Sequence, residues 1–325
     1  MLTRTTADRA HPDRARVGAR AALTVLFAWA AGCFGAPFPE PAAVGPGVYA
    51  FFGALEEPTR ANRGRVANQA FIVAAEGVIV IDSGASAEFG THMLRAIRAR
   101  TDKPVALVIL TRPVDDAIFG ATVFQAHGVP VLAHAAAARL IAERCEVCRK
   151  NLSNALGQDV MAGTRVPRPD RVFRGSQRLA VAGRSLELLD HSGAAAPGSI
   201  AVWDRASGFL FAGGLASFER LPETRDGALD DWIAALHDLG QVPARAILPA
   251  HGPIGDRARL ASVAAYLTAL ERGTAQAYAA RVSLLDAPQT VAVPAYRHWA
   301  LYESVHPRNV HYAYVALEQR ELARP

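Results

Sequence analysis

The chain has 325 residues, of which 51% are hydrophobic and 20% are charged. This composition is typical of a soluble globular protein with a substantial core, and it argues against a disordered chain. Part of the formal net charge of +5 comes from residues 1–20, where five arginines stand against two aspartates. The rest of the chain is nearly balanced, so we expect no nucleic-acid partner.

The first 36 residues have the layout of a secretory signal peptide. A basic segment precedes an apolar stretch that begins at Ala21, and small residues and prolines follow it. The stretch is too short to span a membrane, so we expect no transmembrane domain. The letters AAGC also resemble a lipoprotein cleavage box that would acylate Cys33, but Ala30 stands where a leucine would be expected. We therefore predict ordinary cleavage near Ala36 and export to a bacterial periplasm, with a lipid anchor as the less favoured alternative.

The remaining chain predicts one layered domain. Residues 37–47, rich in proline and glycine, are predicted to form an extended linker, and residues 48–325 the folded domain with a helical tail at its C-terminus. Strands are predicted for the runs GVYAFFG, NQAFIVAAEGVIVIDSG, PVALVILTR, GVPVLAH, RLAVAG, RSLELLD, SIAVWDRASGFLFAGG and RAILPAHG. Helices are predicted for SAEFGTHMLRAIRART, for residues 135–156, and for DDWIAALHDLG and RARLASVAAYLTALERGTAQAYAARV. This order predicts an α/β architecture.

A pair of cysteines and a pair of histidines are further candidate functional residues. Cys145 and Cys148 stand three residues apart on one face of a predicted helix, and an oxidising compartment would permit a disulfide between them. Two packed thiols, or a redox or metal-binding pair, are the alternatives. In the tail, Pro307 lies between His306 and His311 and argues against a helical metal-binding pair, so we predict packing roles for both.

The tail is also aromatic. It contains Trp299, Tyr302, Tyr312 and Tyr314. These side chains predict that the tail docks onto the domain or onto a partner.

Four motifs at predicted strand ends carry a family resemblance. The motifs VIVIDSG, LTRPVDDAIFG, FLFAGG and ILPAHGP, in this order, resemble the metallo-β-lactamase superfamily over roughly residues 47–255. The segments GRVANQAFIV, CEVC and HPRNVHYAY are similar to exported metallohydrolases associated with sulfur oxidation and with quinoprotein (PQQ-dependent alcohol dehydrogenase) systems. The resemblance implies an αββα sandwich with a dinuclear zinc site in a groove at one edge.

The zinc ligands that the resemblance implies are mostly replaced. The family's donors fall on Arg112, Val114, Asp116, Ala117, Ala195, Gly214 and His251. Only Asp116 and His251 keep a metal-binding side chain, and Arg112 would bring a permanent cation to the place of a metal ion. Asp82, in VIVIDSG, corresponds to a carboxylate that supports the metal loop from behind. The sequence thus predicts neither bound zinc nor another cofactor.

Two functions remain open at this stage. The first is a non-catalytic accessory or binding protein of the periplasm, whose partner would be a protein or a small molecule and in which Arg112 pairs with Asp116. The second is a metal-dependent hydrolase of a small molecule with a rebuilt centre. Its candidate residues are Asp115, Asp116, His191 and His251.

Overall fold

The computed structural model describes residues 38–323, which all belong to one compact unit. The strands are β1 (Ala42–Gly45), β2 (Val48–Phe51), β3 (Gln69–Val73), β4 (Val78–Ile81), β5 (Val105–Leu110), β6 (Val131–His134), β7 (Arg171–Phe173), β8 (Gln177–Val181), β9 (Arg184–Asp190), β10 (Ile200–Asp204), β11 (Phe209–Ser217) and β12 (Ala246–His251). The helices are α1 (Ala87–Arg98), α2 (Asp115–Ile118), α3 (Ala121–Ala126), α4 (Ala135–Leu156), α5 (Leu229–Leu239), α6 (Arg257–Ala279), α7 (Ala287–Thr290) and α8 (Tyr302–Leu322), with a 3₁₀ turn at Pro294–Tyr296. The predicted signal peptide and Cys33 lie outside the described residues.

The strands form two sheets. The first has the order β1-β2-β3-β4-β5-β6-β7, and the second has the order β12-β11-β10-β9-β8. Pairing is parallel from β4 to β7 and between β11 and β12, and it is antiparallel elsewhere. The carboxyl ends of parallel strands meet at one edge of a sheet, so the loops after β4, β5 and β12 can gather there.

The alternation of side-chain directions along the central strands explains why each sheet lies between the other sheet and a layer of helices. In β4, Ile79 and Ile81 face the other sheet, whereas Val78 and Val80 face α1 and α3. Because successive side chains of a strand point to opposite faces, a strand that is apolar throughout must be covered on both sides. Helices α1, α3 and α4 cover the first sheet, and α5, α6 and α8 cover the second. The predicted αββα sandwich is confirmed.

Two element boundaries differ from the prediction. The predicted linker carries β1, which pairs antiparallel with β2, because Ala42 and Ala43 continue the sheet despite their neighbouring prolines. Helix α8 runs through Pro307, which was expected to interrupt it. Proline costs a helix one backbone hydrogen bond, and here the packing of the buried residues of α8 outweighs that cost.

The C-terminal tail docks onto the domain through α8. The Nε2 atom of His306 lies 3.0 Å from the Val291 carbonyl oxygen, and its Nδ1 atom lies 3.0 Å from the Tyr266 hydroxyl oxygen. Since a carbonyl only accepts, Nε2 donates and Nδ1 accepts the hydroxyl proton. His306 is therefore a packed core residue, as predicted, and His311 is exposed on the same helix.

Candidate functional site

The frame of the site is a buried carboxylate, Asp82, directly after β4. Asp82 has a positive φ of 56°, a conformation that Asp tolerates better than most residues. Its Oδ1 accepts a hydrogen bond from the Thr111 backbone N–H at 2.8 Å, and its Oδ2 accepts one from the Thr111 hydroxyl at 2.7 Å. Asp82 thus ties the end of β4 to the end of β5, which is the supporting role that the resemblance implies.

Arg112 bridges this carboxylate and a second one. Its Nη1 atom lies 2.9 Å from Asp82 Oδ2, and its Nη2 atom lies 2.9 Å from Asp116 Oδ1. All three side chains are buried. The expected Arg112–Asp116 ion pair is present, and the sequence-based reading missed only the additional bond to Asp82. A guanidinium held by two carboxylates occupies the centre of the strand-end loops.

The charges in this cluster stabilise one another. Burial opposes ionisation of Asp116, but Arg112 and then His251 outweigh burial and hold the pKa of Asp116 below its usual range. For Asp82 burial prevails over Arg112, and its pKa is raised. Burial also opposes the charge on Arg112, yet Asp116 and Asp82 together raise its pKa further. The guanidinium therefore stays charged, and removing it would leave two carboxyl groups buried without a countercharge.

His251 retains the orientation of a ligand. Its Nδ1 atom lies 2.9 Å from the Val66 carbonyl oxygen, so Nδ1 carries the proton of the neutral ring. The Nε2 atom then bears the lone pair and lies 3.3 Å from Asp116 Oδ2. Burial, followed by the charge of Arg220, lowers the pKa of His251 to about 3, which keeps the ring neutral. His251 and Asp116 therefore offer two donors to one point in space.

Gly214, the position of the family's bridging Asp, is sterically linked to Arg112. A Cβ atom built on Gly214 would lie 2.7 Å from Cδ of Arg112, closer than nonbonded carbon atoms approach. An aspartate at position 214 and the observed Arg112 rotamer are thus mutually exclusive. The arginine at position 112 therefore requires glycine at position 214, because its side chain fills the space that an aspartate there would need.

The remaining ligand positions supply no donors. Val114 and Ala195 line the same cavity as Arg112, but their side chains carry no N, O or S atom. Ala117 was expected at a ligand position of the metal site, but its side chain is fully buried in the core between the first sheet and its helices. Its carbonyl oxygen accepts hydrogen bonds from the backbone N–H of Ser83 and from the Ser83 hydroxyl. A histidine at position 117 would have to displace that core.

The donor set does not fit the family's zinc ions. A zinc site needs at least three protein ligands, and Asp116 and His251 provide two, one of which is already paired with a buried cation. Within residues 38–323, no group of three or more His, Cys, Asp or Glu side chains is arranged to hold a metal ion. The geometry therefore assigns the centre to an ion-pair network.

An open cavity of about 290 Å³ adjoins the network. Arg112, Asp116 and His251 form its floor, and the loop from Pro222 to Asp226 contributes Glu223 and Arg225. Asp115 also lines it, and burial, with Asp116 as the next cause, raises the pKa of Asp115 to about 7. This carboxyl group is thus partly protonated near neutral pH.

Sequence analysis missed Arg220. Its side chain is 4% exposed, lines the cavity and lies 3.6 Å from the half-exposed Glu223 carboxylate. Its Nε atom has no hydrogen-bond partner within residues 38–323. Buried guanidinium groups are normally hydrogen-bonded, so this Nε atom is an unsatisfied donor inside the protein. No motif surrounds it in the sequence, so only the fold reveals its position.

His191 does not join the other candidate residues. It follows β9 and lines a separate, shallow pocket with Asp190, Asp231 and Asp238. Burial lowers the pKa of His191, and Asp238 opposes that effect. The structure therefore brings Asp115, Asp116 and His251 to one cavity and leaves His191 outside it, so the four-residue centre is not assembled in this conformation.

The two cysteines lie beside the cavity on α4. Both are free thiols, with Cys145 buried and Cys148 half-buried. Cys148 lines the cavity, and its Sγ atom lies 3.5 Å from the Arg144 carbonyl oxygen. The predicted position on one helix face is correct, whereas the contact of Cys148 with the cavity was not foreseen.

Comparison with known families agrees with this architecture. The family model described as the metallo-beta-lactamase superfamily matches residues 62–251, which is more than half of the chain. The chain therefore belongs to the metallo-β-lactamase superfamily. No curated protein matches it significantly in sequence.

Solved structures share the fold. A metallo-beta-lactamase from Pontibacter korlensis is 24% identical, covers 70% of this chain and 98% of its own length, and gives a TM-score of 0.58. A metallo-beta-lactamase from Hirschia baltica is 20% identical, with coverages of 70% and 97% and a TM-score of 0.56. A double mutant of the sec-alkyl sulfatase PisA1 is 17% identical and covers 88% of this chain but 50% of its own length, with a TM-score of 0.66. These similarities show the fold alone.

The described helices do not include a membrane span. Among residues 38–323, no helix has both the length and the apolar character that crossing a bilayer requires.

Proposed function

We propose that this protein is an accessory member of its superfamily that performs no metal-dependent hydrolysis and binds a small molecule in the cavity above the Arg112 network. The observation that carries the proposal is the guanidinium of Arg112, which lies between Asp82 and Asp116 where the family places metal ions. Without zinc the site has no activated water for hydrolysis. The cavity remains open, and the cationic side chain of Arg220 lines it.

The cavity favours a small molecule over a protein as the occupant. Its volume is about 290 Å³, and a cavity of about 150 Å³ suffices for benzene. Charged side chains of both signs line it together with Pro113, Pro222 and Trp232. Such a mixture of apolar walls and a few oriented polar groups is typical of small-molecule sites.

Metal content tests the proposal. Mature protein purified without added metal should carry below about 0.1 zinc per chain by plasma mass spectrometry. The comparison is a variant with Arg112→His, Val114→His, Ala195→His and Gly214→Asp, which keeps Asp116 and His251 and leaves the buried Ala117 untouched. This variant should gain zinc, because it combines four histidines, three introduced and His251, with two carboxylates.

The same samples test the competing hydrolase. The wild-type protein should not cleave β-lactams, thioesters or lactones above the background rate. About one metal ion per wild-type chain, together with hydrolysis that a chelator abolishes, would overturn the proposal and favour an active centre at Asp115, Asp116 and His251.

The cellular setting is a further part of the proposal. The basic and apolar layout of residues 1–36 supports export to the periplasm, and the segments similar to exported metallohydrolases support a role beside quinoprotein or sulfur-oxidation systems. N-terminal sequencing of the chain recovered from periplasm should find a new terminus near Ala36. A lipid-modified Cys33 or an intact Met1 would contradict this export route.

A further inference from the structure

The thiols of α4 form a pair of unequal exposure. Cys148 is half-buried and lines the cavity, whereas Cys145 is 1% exposed and packs into the core between the first sheet and its helices. A molecule in the cavity can therefore reach Cys148 first. Cys145 lies behind it, one helical turn towards the N-terminus.

Helix geometry permits a bond between the two sulfur atoms. Residues three apart in an α-helix have Cα atoms about 5 Å apart, and disulfides span Cα distances of about 4.4 to 6.8 Å. The Cβ atoms of such residues lie about 5–6 Å apart, whereas a disulfide needs about 3.5–4.5 Å, so closing the bond requires the helix turn that carries both residues to tighten.

The two thiols also differ in electrostatics. The neighbouring Cys145 thiol, aided by the Arg225 guanidinium, outweighs burial and lowers the pKa of Cys148 to about 7. The neighbouring Cys148 and burial raise the pKa of Cys145 well above its usual range. Thiolates rather than thiols attack disulfides. Cys148 is therefore the natural nucleophile, and Cys145 is the natural resolving thiol.

We propose that Cys148 and Cys145 form a thiol–disulfide exchange centre whose substrate is a low-molecular-weight disulfide bound in the cavity. The inference rests on the proposed small-molecule site, to which it adds a chemical class. The volume of about 290 Å³ suits a disulfide with short substituents.

The reaction has two steps. The Cys148 thiolate attacks one substrate sulfur, a mixed disulfide forms as the substrate S–S bond breaks, and the departing thiolate takes a proton from water. The sulfur of Cys145 then attacks Cys148 Sγ, which forms the internal disulfide as the mixed S–S bond breaks, and the Cys145 proton passes to the departing thiolate, which leaves as the second thiol. The substrate gains two electrons and the protein loses two. A dithiol reductant returns them before another turnover.

Single-turnover reaction with bis(2-hydroxyethyl) disulfide tests the proposal. The full chain carries Cys33→Ser, so that Cys145 and Cys148 are its only thiols. Reduced protein should release two equivalents of thiol and lose two hydrogen atoms by intact-mass spectrometry. Cys145→Ser should stop at the mixed disulfide and release one equivalent. Cys148→Ser should lose the reaction.

A matched control separates a built site from an ordinary thiol. In a background with Cys145→Ser and Cys148→Ser, Lys150→Cys places one exposed thiol on the same helix. At pH 7, Cys148 should react about threefold faster than this control, because its larger thiolate fraction outweighs its lower intrinsic nucleophilicity. Ala195→Phe narrows the cavity that Cys148 also lines and should slow Cys148 but not the control; urea denaturation verifies that each variant folds.

The outcomes separate this proposal from the previous one. If Cys148 reacts no faster than Lys150→Cys, or if Cys145→Ser and wild type give the same product, the exchange centre is overturned. Zinc measured in the same samples reports on the ion-pair network alone. Zinc-bound protein that still forms the internal disulfide would overturn the metal-free assignment of the Arg112 site and leave the exchange centre standing.

Discussion

At the scale of single residues, Arg112 stands at an expected ligand position and also holds two buried carboxylates in place. Its guanidinium forms ion pairs with both Asp82 and Asp116, which are buried. The adjacent Gly214 gives its methylene groups room. The network thus explains how the loops after β4 and β5 stay ordered with only part of the ligand set retained.

Replacing Arg112 should therefore destabilise the fold. Arg112→Met keeps much of the side-chain volume but leaves Asp82 and Asp116 buried without a countercharge, and the free energy of unfolding should fall by about 3–5 kcal/mol. Urea denaturation at pH 7 measures this change. The control Arg60→Met removes an exposed pair with Asp159 and should cost less than about 1 kcal/mol. Equal losses for the two variants would show that the Arg112 network is not a special source of stability.

Asp115 should make stability depend on pH. Burial raises its pKa in the folded protein to about 7, from an ordinary value of 3.8. Between these values the unfolded chain has released the proton that the folded chain still holds, so this group lowers stability as the pH rises from about 4 to about 7. Asp115→Asn removes that decline. Between pH 4 and pH 8, the free energy of unfolding of the variant should rise by about 1–3 kcal/mol relative to that of wild type. Curves of stability against pH that stay parallel for the two proteins would contradict the expectation.

At the scale of elements, α8 fastens the loop that forms one cavity wall. The Oδ1 atom of Asn309 accepts a hydrogen bond from the Thr224 backbone N–H at 3.0 Å. Its Nδ2 atom donates to the Pro222 carbonyl at 2.8 Å and to the Tyr266 hydroxyl oxygen at 3.0 Å. One fully buried amide thus joins α8, α6 and the loop after β11.

Removing this amide should loosen the tail. Asn309→Ala leaves several buried donors and acceptors without partners, and the free energy of unfolding should fall by about 2–3 kcal/mol. The control His311→Ala, on the exposed side of the same helix, should change stability by no more than about 0.5 kcal/mol. Chemical denaturation of the two variants side by side distinguishes a fastened helix from a loosely attached one.

At the scale of the whole molecule, stability should be independent of zinc. A ligand stabilises a protein only if the folded state binds it, so neither a chelator nor added zinc should shift the melting temperature of wild type. The variant with Arg112→His, Val114→His, Ala195→His and Gly214→Asp should melt higher by about 5 °C or more with zinc than with chelator. Differential scanning fluorimetry measures both. A chelator-sensitive wild type would show that the protein holds a metal after all.

The sequence by itself determined the layers and the loss of the metal donors. The order of strands and helices predicted an α/β architecture, the family resemblance implied the αββα sandwich, and the helix at residues 135–156 has the predicted bounds. The identities of Arg112, Val114 and Gly214 exclude zinc coordination whatever their surroundings, because their side chains carry no suitable donor. These conclusions depend on local pattern or on residue chemistry alone.

Only the tertiary structure decided what replaced the metal. The bond between Arg112 and Asp82 joins residues 30 positions apart, and the cavity brings Cys148 and Arg220 close to them from α4 and from the end of β11. The same folding carried His191 to another pocket. No local pattern encodes these neighbours, because side chains meet only after parallel strands have brought their carboxyl ends to one edge and the helices have packed against the sheets.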